Sequence, residues 1–274
     1  MVNENINFKV DESKCIKCGL CVKDCTMNVL KMDDFPKMKF DELECIKCEH
    51  CFAICPTAAI SILGDNPDDT YNVSNSNVNP EEFNKMVKAR RSIRQYKNEN
   101  VDKEVIHNLC ESALMAPTAR NCLNTLLTVI DDKDKMDEFR NKVYEKFCQI
   151  NFEGEENAFW ARVSKWWKEE KRDKFFAGAP HMIVASAPRD SINIISDPVI
   201  ILSYFEMLAV SRGLGTLWDG MVTFLLNDIL PEFKDYLGIP KEHKVGYVMV
   251  FGKPAVKYVR DVKRNVKSNI NYIN

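Results

Sequence analysis

The chain has almost no excess charge and no long apolar run. Its 274 residues carry a formal net charge of −2, which gives no argument for binding to nucleic acid or to an anionic membrane. The longest apolar stretch, from Pro198 to Val210, is interrupted by Ser203 and Glu206 and is too short to span a bilayer. We therefore expect neither a nucleic-acid partner nor a membrane.

Three further signatures are missing from the sequence. The start, residues 1–5, is polar and lacks a basic-then-apolar leader, which predicts a reducing cytoplasmic location without disulfides. The four histidines show no mutual spacing that would suggest a metal site. The usual dinucleotide signature, a GxGxxG run after a predicted strand, is also absent. The nearest glycine-rich run, Gly213-Leu214-Gly215, follows a predicted helix instead.

Cysteine, in contrast, is abundant. Eight of the eleven cysteines lie in two runs with C-x2-C-x2-C-x3-C spacing, which is typical of bacterial ferredoxins, where the fourth cysteine of each run binds the other cluster. Zinc sites usually pair two C-x2-C halves across a longer gap. The spacing predicts two [4Fe-4S] clusters, one bound by Cys15, Cys18, Cys21 and Cys55, the other by Cys45, Cys48, Cys51 and Cys25.

The composition divides the chain into two predicted domains. Residues 1–62 hold both cysteine runs and predict a ferredoxin-like domain, whose small core would depend on its clusters. Residues 63–79 are rich in Asn, Asp, Ser and Pro and predict a linker. Residues 80–274 predict a second, larger domain.

Periodicity in the second domain indicates a mixed α+β fold. Asn79-Pro80-Glu81-Glu82 is a typical helix start. Further helices are predicted over 102–115, 133–149 and 198–212, and strands over 125–130, 181–186 and 245–251. Strands and helices do not alternate regularly, which favours α+β over a doubly wound fold.

Three segments of this domain could bind a ligand, although each alone has an ordinary structural interpretation. Residues 90–96 (Arg-Arg-Ser-Ile-Arg-Gln-Tyr) suit a phosphate or polyol, or they form a solvated basic helix end. Residues 116–121 (Ala-Pro-Thr-Ala-Arg-Asn) could lie against a flat ring or form a turn. Residues 213–220 (Gly-Leu-Gly-Thr-Leu-Trp-Asp-Gly) allow close backbone approach to a ligand or cap a helix.

Taken in this order, the three segments resemble the FMN-dependent nitroreductase family. Its members also end with a strand followed by Gly-x-Pro and basic residues, here from Phe251 to Arg260. The resemblance covers roughly residues 80–265. It implies a three-layer α/β/α fold in an intertwined homodimer, with one FMN per subunit at each dimer interface. The chain has Cys122-Leu123-Asn124-Thr125 where many members have x-Gln-Pro-Trp, so the family's usual substrates are not carried over.

The resemblance also implies a set of FMN contacts, with the chemistry carried by N5 of the flavin rather than by a catalytic side chain. Contacts to phosphate and ribityl oxygens would come from Arg90, Arg91, Ser92 and Arg94, with Lys257 or Arg260 adding charge at the phosphate. The isoalloxazine would be lined from the partner subunit by Pro117, Thr118 and Asn121. The glycine-rich segment would lie at the N5 edge through Gly215, Thr216, Trp218, Asp219, Gly220 and Met221.

Together, the two halves predict an iron-sulfur flavoprotein oxidoreductase. Clusters pass one electron at a time, whereas FMN accepts single electrons and releases two as a hydride equivalent. We expect electrons from a redox partner protein such as ferredoxin, or from NAD(P)H, to reduce a small electrophile: a nitroaromatic, a quinone or an activated alkene. The alternatives are an electron carrier without a small-molecule substrate, and flavin chemistry that serves dehalogenation or flavin fragmentation.

Three of the four tryptophans lie between residues 157 and 179, where the family often places a helical flap. The region of Trp160, Trp166 and Trp167 could form an aromatic substrate lid, a dimer contact or part of the core.

Overall fold

The structure is a computed structural model that describes residues 6–39, 45–73, 76–264 and 269–273. The chain forms two compact units: the first contains residues 1–78 and 120–122, and the second contains residues 79–119 and 123–274. The polar start, residues 1–5, and residues 74–75 of the predicted linker lie outside the described residues. Within the described part of the chain, every helix is too short or too polar to cross a bilayer.

The first unit contains two short antiparallel strand pairs and two short helices. The pairs are β1 (Lys9–Val10) with β4 (Ile60–Ser61) and β2 (Leu30–Met32) with β3 (Pro36–Met38). The helices are α1 (Leu20–Asp24) and α2 (His50–Ala53), one inside each cysteine run. Strands of two or three residues bury little, and the core combines Cys21 and Cys51 with Ile6, Leu30, Ile60 and Ile62.

The backbone of the first unit repeats with the sequence. Gly19 precedes α1 with φ 73°, and Glu49 precedes α2 with φ 57°, both in the left-handed region. Lys17 and Lys47 also match, with φ 58° and 54°. Non-glycine residues seldom adopt this conformation, and here it recurs at equivalent positions of the two cysteine runs.

The predicted linker is partly structured. Residues Pro67–Asp69 form a 3-10 turn, whose start is capped because the Asn66 side chain accepts from the Asp68 amide. Lys14 and Asp68 form an ion pair at 2.9 Å. The structure groups residues 63–73 and 76–78 with the first unit, and the second unit begins at residue 79.

The second unit is built around an antiparallel sheet with the order β5-β6-β8-β7. Its strands are β5 (Leu126–Ile130), β6 (His181–Pro188), β7 (Gly215–Trp218) and β8 (His243–Gly252). Its helices are α3 (Pro80–Ala89), α4 (Lys103–Leu114), α5 (Lys133–Phe147), α6 (Ala158–Glu170), α7 (Ser196–Ser211), α8 (Gly220–Phe224), which continues as a π-helical turn over Leu225–Ile229, and α9 (Phe233–Tyr236).

The alternating side chains of β6 show that the second unit has three layers. Met182 and Val184 pack in one buried cluster with residues of α5, such as Phe139, whereas Ile183 and Ala185 pack in another with residues of α4 and α7. Successive side chains of a strand point to opposite faces, so helices cover both faces of the sheet. The predicted three-layer α+β fold is confirmed.

The predicted caps and most elements are also confirmed. The Asn79 side chain accepts from Glu81 and Glu82 at the start of α3, and Gly213, with φ 73°, follows α7. The fourth strand, β7, was not predicted, because its four residues lie in a segment interpreted as a glycine-rich loop. It lies at the edge of the sheet, where β8 is its neighbouring strand.

Candidate cofactor sites and active site

In the first unit, the chain brings together four thiols from both cysteine runs. One cavity is lined by Cys15, Cys18, Cys21 and Cys55, with apolar walls that include Ile60. Cys55 Sγ accepts a hydrogen bond from the Ala59 amide at 3.2 Å. The crossed arrangement predicted from the spacing is therefore the one that the fold allows for this set, while ligation itself stays a prediction.

Three thiols of the second set lie near enough to interact electrostatically. Burial raises the pKa of the Cys45 thiol, and the neighbouring thiols of Cys48 and Cys25 raise it further. Burial also raises the pKa of Cys51 to about 12. No three His, Cys, Asp or Glu side chains of the described residues are placed to hold one metal ion, but the thiolates of a cubane bind separate irons. The donor chemistry fits two clusters.

In the second unit, the basic segment after α3 lines a cavity of about 710 Å³. Its walls carry five cations and one carboxylate: Lys88, Arg90, Arg91, Lys263 and Arg264, with Asp261. Arg91 Nη1 donates to the carbonyls of Lys88 and Arg90 at 2.8 and 2.7 Å, while its Nη2 is buried without a partner in the described structure. An unsatisfied buried guanidinium nitrogen among cations is suited to an anion such as a phosphate.

The basic residues near the C-terminal end fall into two pairs. Lys263 and Arg264 line this cavity, whereas Lys257 and Arg260 are exposed and do not. The segment after β8 contains several basic residues and no periodicity that distinguishes them, so which of them contacts a phosphate stays a prediction.

A buried carboxylate that the sequence prediction missed organises this region. Glu206 on α7 is 8% exposed. Its Oε1 lies 3.3 Å from Arg90 Nη1 and accepts from Thr216 Oγ1 at 2.8 Å, and its Oε2 accepts from Trp218 Nε1 at 3.0 Å. The signal was present as a charged residue that interrupts an otherwise apolar helix.

Backbone contacts hold the basic segment against β7. Ser92 pairs with Thr216 in a parallel bridge, and Ile93 donates its amide to the Thr216 carbonyl at 2.9 Å. A Cβ on Gly215 would lie 2.5 Å from the Ile93 side chain, so only glycine permits this approach. The structure therefore brings the first and third predicted segments together.

Beyond this contact lies a second cavity of about 730 Å³. One wall consists of residues 217–221, with Trp218, Asp219, Gly220 and Met221; Arg94 and residues 172–174 and 177–178 complete it. A volume of this size is typical of small-molecule sites.

Asp219 is the most perturbed carboxyl group of this cavity. It is 3% exposed, its Oδ1 accepts from the Val222 amide at 3.0 Å, and its Oδ2 is buried without a partner in the described structure. Burial raises its pKa to about 7; the negative charge of Asp173 adds to this effect, and Arg94 opposes it. A carboxyl group with such a pKa can hold or release a proton at neutral pH.

The loop predicted to bind the flavin ring lines neither of these two cavities. Pro117 is exposed, and Thr118 Oγ1 accepts from the Leu123 amide at 3.1 Å. Asn121 belongs to the first unit, where its Nδ2 donates to the Lys47 carbonyl at 2.8 Å. Because the resemblance assigns these residues to the partner subunit's flavin, their role stays a prediction.

The tryptophans of α6 contribute mainly to the core. Trp167 stacks on Tyr144 with ring centroids 3.8 Å apart, and Trp160 stacks on Phe224 at 5.7 Å. All three tryptophans of this helix pack against the main buried cluster. Among the interpretations left open, core packing has direct support.

Comparisons with known proteins agree with this geometry. Residues 87–253 match the Nitroreductase family, and residues 14–59 match the 4Fe-4S dicluster domain. Over 208 residues the chain is 25% identical to an iodotyrosine deiodinase from Danio rerio, which covers 73% of this chain and 70% of that protein.

Two solved structures show the same fold. A nitroreductase with bound FMN from Bacteroides fragilis NCTC 9343 superposes with a TM-score of 0.60 and 18% identity, covering 70% of this chain and 99% of that one. A nitroreductase with bound FMN from Desulfitobacterium hafniense DCB-2 gives 0.57 and 23%, covering 72% and 100%. The chain therefore belongs to the nitroreductase family and carries an N-terminal 4Fe-4S dicluster domain.

Proposed function

We propose that this protein is an iron-sulfur flavoprotein reductase in which electrons from a low-potential donor pass through two [4Fe-4S] clusters to FMN and reduce a small electrophile. The observation that carries the proposal is the combination, in one chain, of a dicluster domain with a nitroreductase fold. Clusters exchange single electrons. When bound, FMN accepts electrons singly and delivers two to one substrate.

The residues of the second unit fit FMN. The basic cavity suits its phosphate, and a phosphate oxygen would satisfy the buried Arg91 Nη2. Glu206 fixes Arg90 at this cavity and Trp218 at the other one, so one carboxylate positions groups at both. In a homodimer, as the family resemblance implies, the partner's loop of Pro117 and Thr118 would complete the ring site.

Asp219 is suited to supply a proton to the acceptor. Its Oδ2 has no partner in the described structure, and its raised pKa allows the protonated form at neutral pH. Reduction of a nitro group, quinone or activated alkene takes up two electrons and two protons. The electrons come from two equivalents of a one-electron donor, which are oxidised.

Reductive dehalogenation is a second candidate, favoured by the similarity to iodotyrosine deiodinase. In that reaction a carbon–halogen bond is replaced by carbon–hydrogen, two electrons and one proton are consumed, and halide is released. The cavity beside residues 217–221 could take a halogenated ring as readily as a nitro compound. The presence of this cavity argues against an electron carrier without a small-molecule substrate.

A reoxidation screen tests both candidates. Protein isolated anaerobically would be reduced with dithionite and mixed with a nitroaromatic, a quinone, an activated alkene or a halophenol, and the return of flavin absorbance would be followed. We expect at least one class to reoxidise the protein stoichiometrically. If none does, the electron-carrier interpretation replaces this proposal.

The donor is tested separately. Reduced ferredoxin should reduce the intact protein faster than NADH or NADPH, since the clusters would be the entry point. Equal or faster reduction by NAD(P)H would instead make the nicotinamide the direct donor.

A further inference from the structure

Two cations at the second cavity have no carboxylate partner in the described part of the chain. Arg172 and Lys174 line the cavity. Both lie over the ring of Trp166, with Arg172 Cζ 4.9 Å and Lys174 Nζ 5.4 Å from its centroid. A cation–π contact restrains a charge without consuming its N–H donors, so both groups keep hydrogen-bonding capacity for a ligand.

Neither of the two carboxyl groups of the same cavity neutralises Arg172 or Lys174. Asp173 Oδ2 is paired with Arg140 Nε at 2.8 Å, and its Oδ1 accepts from the Tyr144 hydroxyl at 3.0 Å and the Phe176 amide at 2.9 Å. Asp219 is buried, and desolvation raises its pKa to about 7, so a substantial fraction is neutral at that pH. The cavity is therefore electropositive.

We propose that this cavity selects electron acceptors that carry an anionic group, a carboxylate or a phosphate, through Arg172 and Lys174. The proposal rests on the proposed function and narrows its substrate class. The apolar part of the wall, Leu217, Trp218 and Met221, would contact the body of the acceptor. Arg94 lines the same cavity but is assigned to FMN and is not needed for this selection.

The test compares two acceptors with the same reducible group. Full-length holoprotein would be reduced anaerobically and reoxidised with 4-nitrobenzoate or with its neutral methyl ester. We expect the bimolecular rate constant to favour the carboxylate by about tenfold at low salt, the scale of one charge-assisted hydrogen bond. Repeating the measurement with 4-nitrophenyl phosphate would show whether the cavity prefers a phosphate or a carboxylate.

The double variant Arg172→Gln/Lys174→Gln should lose this preference, because its rate with the carboxylate should fall about tenfold more than its rate with the ester. Lys168→Gln, on the same helix as Trp166 but away from the cavity lining, is the matched control and should keep the preference. FMN and iron content would confirm that each variant is folded.

A second readout does not depend on turnover. Benzoate should perturb the flavin spectrum of the oxidised wild-type protein at lower concentrations than benzamide, and the double variant should not discriminate. An absent preference in the wild type, or a preference that survives in the double variant, would overturn the inference while leaving the proposed function intact. Failure of every acceptor to reoxidise the protein would reject both.

Discussion

The two units of this protein hold their functional groups in opposite ways. In the first, strands of two or three residues surround a small core, and two of the predicted ligands, Cys21 and Cys51, are themselves core residues. In the second, two large apolar clusters cover both faces of a four-stranded sheet, and the polar site residues lie at its edge. We therefore expect the first unit to depend on its cofactors for folding, and the second to form a scaffold to which a cofactor is added.

The largest expected effect is the loss of the clusters. Anaerobically made protein should contain about eight irons per chain, four for each cubane. Removing them with a chelator should unfold the first unit and abolish turnover driven by ferredoxin, while the second unit keeps its FMN. Iron analysis, limited proteolysis and flavin absorbance would show this.

Two single variants sharpen this prediction. Cys55→Ser should impair the cluster bound mainly by the first run, and Cys25→Ser the cluster bound mainly by the second, as judged by paramagnetic resonance of the reduced protein. Loss of the same cluster in both variants would contradict crossed ligation. Zinc in place of iron would contradict the cluster assignment. Release of FMN together with the iron would contradict the expected difference between the two units.

The contrast also explains what could be predicted from the sequence. The proximity of Cys15, Cys18, Cys21 and Cys55 was predictable from the spacing of the two runs, and the fold places all four around one cavity. The helices and long strands of the second unit followed from periodicity and caps such as Asn79.

The second unit's polar site was only partly predictable. The segments that contain Arg91 and Trp218 could be recognised from their order along the chain. Glu206 could not, because its contacts are with residues ten or more positions away. Asp173 and Lys263 carry no local pattern at all. Such residues are defined by three-dimensional proximity, which one sequence does not record.

The next largest effect concerns proton supply. Asp219→Asn can still accept from the Val222 amide as the helix cap but holds no proton to donate, so turnover should fall by roughly 100-fold, as for loss of a general acid. In the wild type, turnover should decline as pH rises through about 7, the pKa of Asp219, and in the variant this step should vanish. A pH–rate profile of substrate-driven reoxidation would test it; an unchanged profile would show that protons come from solvent.

The same substitution gives a stability readout. Burial raises the pKa of Asp219 from the 3.8 of a solvated aspartate to about 7. The folded state therefore binds more protons than the unfolded state between these pH values, and stability falls as pH rises across that window. The variant lacks this penalty and should gain stability relative to wild type from pH 4 to 7. Urea unfolding monitored by tryptophan fluorescence would measure the difference, which should be negligible below pH 4.

Flavin affinity should respond more moderately. Arg91→Ala removes the buried Nη2 that a phosphate oxygen would satisfy, so FMN binding should weaken by about 10- to 100-fold, the scale of one charge-assisted hydrogen bond. Arg162→Ala is a suitable control, because Arg162 lies over Trp166 at 6.0 Å and does not line the basic cavity. Ultrafiltration with flavin fluorescence would measure both. Equal loss in the two variants would indicate a general structural effect rather than a phosphate contact.

The smallest expected effect separates the basic residues after β8. Lys263→Gln and Arg264→Gln should each weaken FMN binding by about two- to fivefold, because partly solvated charges at the edge of a cavity contribute little individually. Lys257→Gln and Arg260→Gln should leave affinity unchanged, since neither residue lines that cavity. Rising salt should reduce the first pair's effect, because exposed charges are screened. The reverse ranking would instead support the assignment of Lys257 or Arg260 to the phosphate that the family resemblance implies.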